Sequence, residues 1–241
     1  MPDPSTDPPA DASTGSGPRS SAGSAYLVAP PSDGSADGPH PGVLLLHSWW
    51  GLTPFVRSLC DRIADTGFAV LAPDLLDGHL PTTEADAELL LRDRDMNETA
   101  DLVVSSARTL RSLPITLDAP LGVVGMSMGA SLALWLATRA AEHIGAVSIF
   151  YGTQDIDFMG ATAAVQGHFA EHDPFVTDNE RIEMQAHLHL VGLEPEFHHY
   201  PGTRHWFFES DRQAYDEAAA ELAFDRMITF LHANLDVSDP Q

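Results

Sequence analysis

Short, continuously apolar runs alternate along the chain with longer segments of mixed polarity. Runs of this kind, bounded by glycine, proline or loop residues, are typical of strands buried on both faces. They predict strands at residues 25–29, 42–47, 68–72, 121–124, 145–150, 163–169 and 196–200. The segments between them predict helices at about residues 54–65, 83–94, 98–113, 130–142, 178–191 and 212–232. This alternation predicts an α/β fold with a mostly parallel sheet and helices on both faces.

The two ends of the chain differ from its middle. Residues 1–24 consist mainly of Pro, Ser, Asp, Gly and Ala. Such a composition offers almost nothing to bury, so we expect a disordered tail there. Residues 25–235 contain no 20- to 50-residue repeat and no linker, which predicts a single folded domain. Residues 236–241 are expected to form a short C-terminal tail.

Charge and cysteine content narrow the possible partners. The chain of 241 residues has a formal net charge of −23, and all 12 of its Lys and Arg residues are arginine. An acidic surface repels nucleic acid and anionic membranes, so we expect neither as a partner.

The single cysteine, Cys60, excludes an intramolecular disulfide and a multi-cysteine metal site. The N-terminus has no basic region followed by an apolar one, which predicts a cytoplasmic protein.

The sequence Gly-Met-Ser-Met-Gly at residues 125–129 stands between a predicted strand and a predicted helix. A G-x-S-x-G sequence in this setting is typical of a sharp turn that lifts the serine hydroxyl above the sheet. Gly125 and Gly129 leave room for the strained backbone and for close packing of the helix on the strand. We therefore interpret Ser127 as a nucleophile. An ordinary glycine-bracketed turn is the alternative interpretation.

Two later loops contain the partners that a serine nucleophile requires. Asp173 follows the strand at 163–169 and His205 follows the strand at 196–200, in the chain order expected after a G-x-S-x-G turn. Because the carboxyl ends of parallel strands meet at one edge of a sheet, we predict that His205 accepts the Ser127 proton. Asp173 would then hold the imidazole. Glu171, two residues earlier, is the alternative acid.

The loop after the first buried strand has the location of an oxyanion-binding loop. We predict that the backbone N–H groups of Trp49 and Met128 stabilise the oxyanion. Trp50 and Trp206 would add apolar walls to a substrate pocket. Packing within the core is the alternative role for the indole rings of Trp49 and Trp50. His187 and His189 do not share a helix face, and no phosphate-binding glycine loop occurs, so we expect neither a metal nor a cofactor.

Several stretches together resemble the dienelactone hydrolase family, namely residues 46–52, 71–75, 125–129, 167–176 and 200–207. The resemblance covers about residues 25–235 and implies the α/β-hydrolase fold. It also implies Ser127 as nucleophile, Asp173 as acid and His205 as base, with Trp49 and Met128 as oxyanion donors. A hydrolase of this kind requires no cofactor.

Three positions depart from the best-known members of that family. Those members have a cysteine at the position of Ser127 and a glutamate at the position of Ser48. They also have an arginine four residues after the histidine, which holds the substrate carboxylate. Glu209 stands there in this chain and is expected to repel a carboxylate. Arg92 or Arg94 is a candidate replacement for the missing charge.

Two functions from different classes are compatible with these residues. The first is hydrolysis of small carboxylic esters or lactones through an acyl-enzyme on Ser127, which the departures affect less than they affect dienelactone specificity. The second is a non-catalytic protein of the same fold that binds a small apolar ligand between Trp49, Trp50 and Trp206. A serine within reach of His205 favours the hydrolase, and a serine out of reach favours the binding protein.

Overall fold

The computed structural model describes residues 24–30 and 38–235. The tails predicted at residues 1–24 and 236–241 therefore lie outside the described residues, apart from Ser24. The carbonyl oxygen of Ser24 accepts from the Asp74 N–H at 2.8 Å, and its hydroxyl donates to an Asp74 carboxylate oxygen at 3.0 Å.

Seven strands of the described chain form one sheet in the order β1-β3-β2-β4-β5-β6-β7. Only β1 is antiparallel, to its neighbour β3, and the other pairs are parallel. The mostly parallel sheet predicted from the apolar runs is thereby confirmed. The strands are β1 Ala25–Val28, β2 Gly42–Leu46, β3 Ala69–Pro73, β4 Leu121–Met126, β5 Ile144–Phe150, β6 Ala164–His172 and β7 Glu196–Arg204.

Six α-helices cover the two faces of the sheet. They are α1 Pro54–Ala64, α2 Glu84–Arg92, α3 Met96–Ser112, α4 Met128–Arg139, α5 Asp178–Leu190 and α6 Glu217–Leu235, with a short 3-10 helix at Ala141–His143. Thr53, Thr83 and Asp95 cap α1, α2 and α3 by accepting a backbone N–H with their side chains. Thr177 and Glu180 form a reciprocal capping box at α5.

The hydrophobic core lies in two layers, one on each side of the sheet. Alternate residues of β2 separate into them: Val43 and Leu45 pack with α1 and α6, whereas Leu44 and Leu46 pack with α3 and α4. This separation follows from the two-residue period of a strand. Cys60 is buried in the first layer. Burial raises the pKa of its thiol to about 12, so it behaves as a packed apolar side chain.

The boundaries of β7 and α6 differ from those predicted from the sequence. β7 continues through Pro201 to Arg204, because β7 is the edge strand of the sheet and a missing N–H costs little there. The final helix begins at Glu217 rather than near residue 212. Residues 212–216 instead form a turn, in which the Asp216 N–H donates to the Phe207 carbonyl oxygen at 3.0 Å.

Candidate active site

Ser127 lies on the sharp turn between β4 and α4 and is half-buried. Its backbone has φ 52° and ψ −114°, in a region that side-chain-bearing residues rarely adopt. The Ser127 N–H donates to the Phe150 carbonyl oxygen of the neighbouring strand at 3.0 Å. The turn is therefore held against the sheet while the side chain points away from the strand.

The first turn of α4 lies unusually close to the end of β2. A Cβ atom added at Gly129 would lie 2.7 Å from the His47 carbonyl oxygen, and closer still to that of Leu46. Because real Cβ atoms do not approach backbone so closely, this position requires glycine. The contact brings the loop that contains Trp49 next to the helix N-terminus that contains Met128.

Ser127, His205 and Asp173 form a continuous hydrogen-bonded row. The Ser127 Oγ lies 2.9 Å from the His205 Nε2. The His205 Nδ1 lies 2.8 Å and 2.7 Å from the two carboxylate oxygens of Asp173. The three residues come from three separate loops at the carboxyl ends of β4, β6 and β7, although 78 and 32 positions separate His205 from the other two.

The acid in this row is Asp173 and not Glu171. One Asp173 carboxylate oxygen also accepts the backbone N–H groups of Phe175 at 2.9 Å and Val176 at 3.1 Å, which fixes its orientation. The Glu171 carboxylate accepts the Gly202 N–H at 2.6 Å instead. The side chains of His205 and Asp173 are only 3% and 4% exposed, so their contact is shielded from water.

The loop that follows β2 is held by a backbone hydrogen bond and by the side chain of His47. The Ser48 carbonyl oxygen accepts the Gly51 N–H at 3.2 Å and lies 2.7 Å from the His47 Nδ1. The His47 Nε2 accepts the Leu75 N–H at 2.9 Å, which assigns the ring proton to Nδ1. Burial lowers the pKa of His47 to about 4, so the ring remains neutral and keeps this arrangement.

Aromatic side chains cluster beside the three-residue row. The indole rings of Trp49, Trp50 and Trp206 lie with centroids 5.3–5.7 Å apart. Phe175 packs at 5.5 Å from Trp49 and at 4.8 Å from His205. All three indole N–H groups are buried and have no partner among the described residues. Trp50 and Trp206, the predicted pocket residues, therefore lie together, with their indole N–H groups covered by the surrounding protein.

A cavity of about 1240 Å³ borders this cluster and reaches His205 and Asp173. Its arginines are Arg204 and Arg212, and the Arg212 guanidinium lies 4.6 Å from the Trp50 ring centroid. The two arginines that the sequence suggested are engaged elsewhere or exposed. Arg94 forms an ion pair with Asp77 at 3.1 Å, and Arg92 is exposed at the end of α2.

Glu209 and Tyr151 lie next to the row in roles that the sequence did not predict. Glu209 has no exposed surface, so the prediction that it meets a substrate carboxylate is wrong. Its carboxylate accepts the hydroxyl groups of Ser48 and Tyr151, each at 2.8 Å. The Tyr151 ring lies 4.8 Å from the His205 ring. The position of Tyr151 immediately after an apolar strand was the available signal, since sites form at such strand ends.

The described residues offer neither a cluster of metal ligands nor a membrane-spanning helix. Residues 24–30 and 38–235 contain no group of three or more His, Cys, Asp or Glu side chains arranged to hold a metal ion. Their helices include none with the length and apolar character needed to span a membrane.

The fold and the position of Ser127 define the class of the protein. A mostly parallel sheet with helices on both faces, and a G-x-S-x-G turn between a central strand and its helix, is the α/β-hydrolase fold. The model of the dienelactone hydrolase family matches residues 24–235. The chain belongs to the dienelactone hydrolase family, and it is a hydrolase.

Individual relatives match over most of their length. Protein usf of Aquifex pyrophilus is 30% identical over 200 residues, which cover 79% of this chain and 87% of that protein. Carboxymethylenebutenolidase 1 of Cupriavidus pinatubonensis is 28% identical over 222 residues, covering 86% and 90%. The dienelactone hydrolase-like promiscuous phosphotriesterase P91, from metagenomic libraries, has a TM-score of 0.72 at 18% identity and covers 88% and 99%.

Proposed function

We propose that this protein hydrolyses small carboxylic esters or lactones through an acyl-enzyme formed on Ser127. The observation that carries the proposal is the 2.9 Å distance between the Ser127 Oγ and the His205 Nε2, with Asp173 2.7 Å from the opposite ring nitrogen. This is the reach that proton transfer from a nucleophile to its base requires.

The Asp173 carboxylate can only accept, so it holds the imidazole proton on the His205 Nδ1. The Nε2 is then free to take the proton of Ser127 as the Oγ attacks the ester carbon. The resulting imidazolium gives that proton to the leaving alkoxide, and the C–O bond of the ester breaks. A water molecule then attacks the acyl-enzyme with His205 as base, which releases the acid and restores Ser127.

The oxyanion of each tetrahedral intermediate would be bound by the N–H groups of Trp49 and Met128. Two observations support this assignment. Met128 is the first residue of α4, where the helix leaves its N–H without an intrahelical acceptor. Gly129 allows the loop after β2 to approach that helix end within van der Waals contact. A helix N-terminus further favours negative charge through its dipole.

The substrate would lie against Trp50 and Trp206. Both rings line the adjoining cavity, where they supply apolar area for an acyl or alcohol group. Arg204 and Arg212 border the adjoining cavity, although Glu84, Asp211 and Asp216 border it too. The substrate class is therefore defined by its ester or lactone bond rather than by a required negative charge.

The relatives support hydrolysis of this bond. One of them is named a carboxymethylenebutenolidase, which acts on a lactone. The alternative, a non-catalytic protein that binds an apolar ligand, would have been favoured by a Ser127 out of reach of His205. The observed 2.9 Å contact favours the hydrolase.

Covalent trapping tests the proposed nucleophile without knowledge of the natural substrate. Paraoxon phosphorylates activated serine hydroxyls, and one structural relative, esterase 2 of Thermogutta terrifontis, has been solved in a form phosphorylated by paraoxon. We expect one diethylphosphoryl group on the peptide that contains Ser127, and none in Ser127→Ala. Ser131→Ala is the matched control, because the Ser131 hydroxyl lies one turn away and donates to the Thr153 carbonyl oxygen at 2.8 Å. Labelling that persists in Ser127→Ala would reject the assignment.

A further inference from the structure

Glu209 is a buried acid that the proposed reaction does not use. No other acidic residue within 24–30 and 38–235 is fully buried. It lies on the turn that follows His205, where its N–H donates to the Trp206 carbonyl oxygen at 3.0 Å and its own carbonyl accepts the Arg212 N–H at 2.9 Å. A carboxylate removed from water is costly unless donors satisfy it, so its placement calls for a physical reason.

The donors are two hydroxyl groups from two other loops. The Ser48 hydroxyl, from the loop after β2, donates to the Glu209 Oε2 at 2.8 Å. The Tyr151 hydroxyl, from the loop after β5, donates to the Glu209 Oε1 at 2.8 Å. Both partners are fully buried. One carboxylate therefore ties together the loops that contain Trp49, Tyr151 and His205.

The contact with Ser48 acts on the peptide unit that precedes Trp49. The Ser48 carbonyl and the Trp49 N–H belong to one planar peptide, so fixing the carbonyl also fixes the direction of the N–H. That carbonyl is held by His47 and by the Gly51 N–H. The bond from the Ser48 side chain to Glu209 is a third restraint on the same unit. The direction of a proposed oxyanion donor thus depends on Glu209.

The contact with Tyr151 acts on the imidazole of His205. Tyr151 has φ 37°, a left-handed conformation that costs free energy for a side chain of this size. Its N–H donates to the His168 carbonyl oxygen at 2.8 Å, and its ring packs 4.8 Å from His205 and 5.7 Å from Phe207. With the backbone and the hydroxyl both held, the Tyr151 ring forms a fixed support for the His205 ring.

We propose that Glu209 is a positioning residue of the active site, which holds the Trp49 amide through Ser48 and the His205 ring through Tyr151. The inference rests on the proposed function, since it assigns Glu209 a part in the reaction of Ser127. Glu209 does not touch the reacting atoms. Its contribution is the relative placement of the oxyanion loop and the base.

The protonation of Glu209 follows from its surroundings. Burial raises the pKa of Glu209 to about 7, the hydroxyls of Ser48 and Tyr151 oppose this, Asp211 raises the pKa further and Arg212 lowers it. A protonated carboxyl donates from one oxygen, so one of the two hydroxyls then has to accept instead of donating. The arrangement in which both hydroxyls donate to Glu209 therefore belongs to the ionised form, which predominates above about pH 7.

The test compares Glu209→Gln and Ser48→Ala with a matched control, Ser148→Ala. Ser148 is also fully buried and its hydroxyl donates to the Gln166 side chain at 3.1 Å, away from the site. We expect kcat for a p-nitrophenyl ester to fall about 10- to 100-fold in the first two variants, with KM within about twofold, because geometry rather than binding is lost. Ser148→Ala should keep wild-type kcat.

Two further readouts separate positioning from general stability. The losses in the double variant Ser48→Ala/Glu209→Gln should be less than additive, because both changes affect the contact between Ser48 and Glu209. The acid limb of the kcat–pH profile should be less steep in Glu209→Gln than in wild type, since a second protonation is removed. A purely structural role would leave this limb unchanged.

Normal folding and kcat within about twofold of wild type in both Glu209→Gln and Ser48→Ala would overturn the proposal. If Glu209→Gln does not fold, Ser48→Ala alone decides, because it leaves the carboxylate and Tyr151 in place. The rate of Ser127 phosphorylation by paraoxon provides the same comparison without ester turnover. Ser127→Ala is measured in parallel. If Ser127→Ala stays active, the proposed function is rejected. If Ser127→Ala is inactive while Glu209→Gln and Ser48→Ala keep their activity, only the role of Glu209 is rejected.

Discussion

Several residues around the site have a backbone conformation that side-chain-bearing residues rarely adopt. Four non-glycine residues of the described chain have φ in the left-handed region, and Ser127, Tyr151 and Trp206 are three of them. Each follows a different strand at the carboxyl edge of the sheet. Such strain persists only where surrounding contacts enforce it, and it clusters at functional sites. The site is therefore preformed by backbone geometry rather than by flexible side chains.

The orienting role of Asp173 leads to a specific expectation at this scale. Asp173→Asn should lower kcat about 10³- to 10⁴-fold with little effect on folding, because an amide can donate to the His205 Nδ1 and so stabilise the wrong tautomer. The measurement is steady-state hydrolysis of a p-nitrophenyl ester. Glu171→Gln is the control, since an amide oxygen can still accept the Gly202 N–H. Equal losses in both variants would contradict the assignment of Asp173.

At the scale of elements, the central strands were the easiest feature to predict from the sequence. β2, β3, β4 and β5 are short apolar runs, and continuous burial on both faces leaves little ambiguity in their assignment. The order of Ser127, Asp173 and His205 at strand ends likewise follows from topology. The row could thus be assembled from strand ends alone.

Other features depend on contacts that the sequence does not encode locally. The extension of β7 beyond Tyr200 depends on pairing with β6, and the start of α6 depends on the turn at residues 212–216. The misplaced role of Glu209 has the same origin. Its position four residues after His205 suggested that it faces a substrate carboxylate. It is buried instead, and the two hydroxyl groups that donate to its carboxylate lie 161 and 58 positions earlier in the chain.

The packing of α4 on β2 predicts the effect of a single methyl group. Gly129→Ala should lower the free energy of unfolding by about 1–3 kcal/mol, because the new Cβ meets backbone that has to move. It should also lower kcat, since that backbone leads into the Trp49 loop. Urea unfolding and ester hydrolysis measure the two effects. Gly38→Ala is the control, because nothing lies within 4 Å of its Cβ position; an equal loss there would contradict the argument.

For the molecule as a whole, buried titratable groups link stability to pH. The pKa of Glu209 rises from 4.5 to about 7 on folding, so the folded state binds a proton more tightly than the unfolded state. The stability contributed by protonated Glu209 is present at low pH and is lost as pH rises through about 7.

Comparison with Glu209→Gln isolates this effect, because glutamine does not titrate. The free energy of unfolding of the variant minus that of wild type should increase by about 3 kcal/mol between about pH 5 and pH 8. Urea unfolding at several pH values measures it. His47 also titrates on unfolding, since burial lowers its pKa to about 4, but it contributes equally to both proteins and cancels. A difference that does not change with pH would contradict the raised pKa of Glu209 in the folded state.

The most direct test of the account is rapid-mixing hydrolysis of p-nitrophenyl acetate by wild type and Ser127→Ala. Formation of an acyl-enzyme releases p-nitrophenol before the ester of Ser127 is hydrolysed, so wild type should give a burst of about one equivalent per active site. Ser127→Ala loses one hydroxyl and no core volume, so it should fold normally and give neither burst nor turnover. Burst and turnover at wild-type levels in Ser127→Ala would contradict the role of Ser127 as nucleophile.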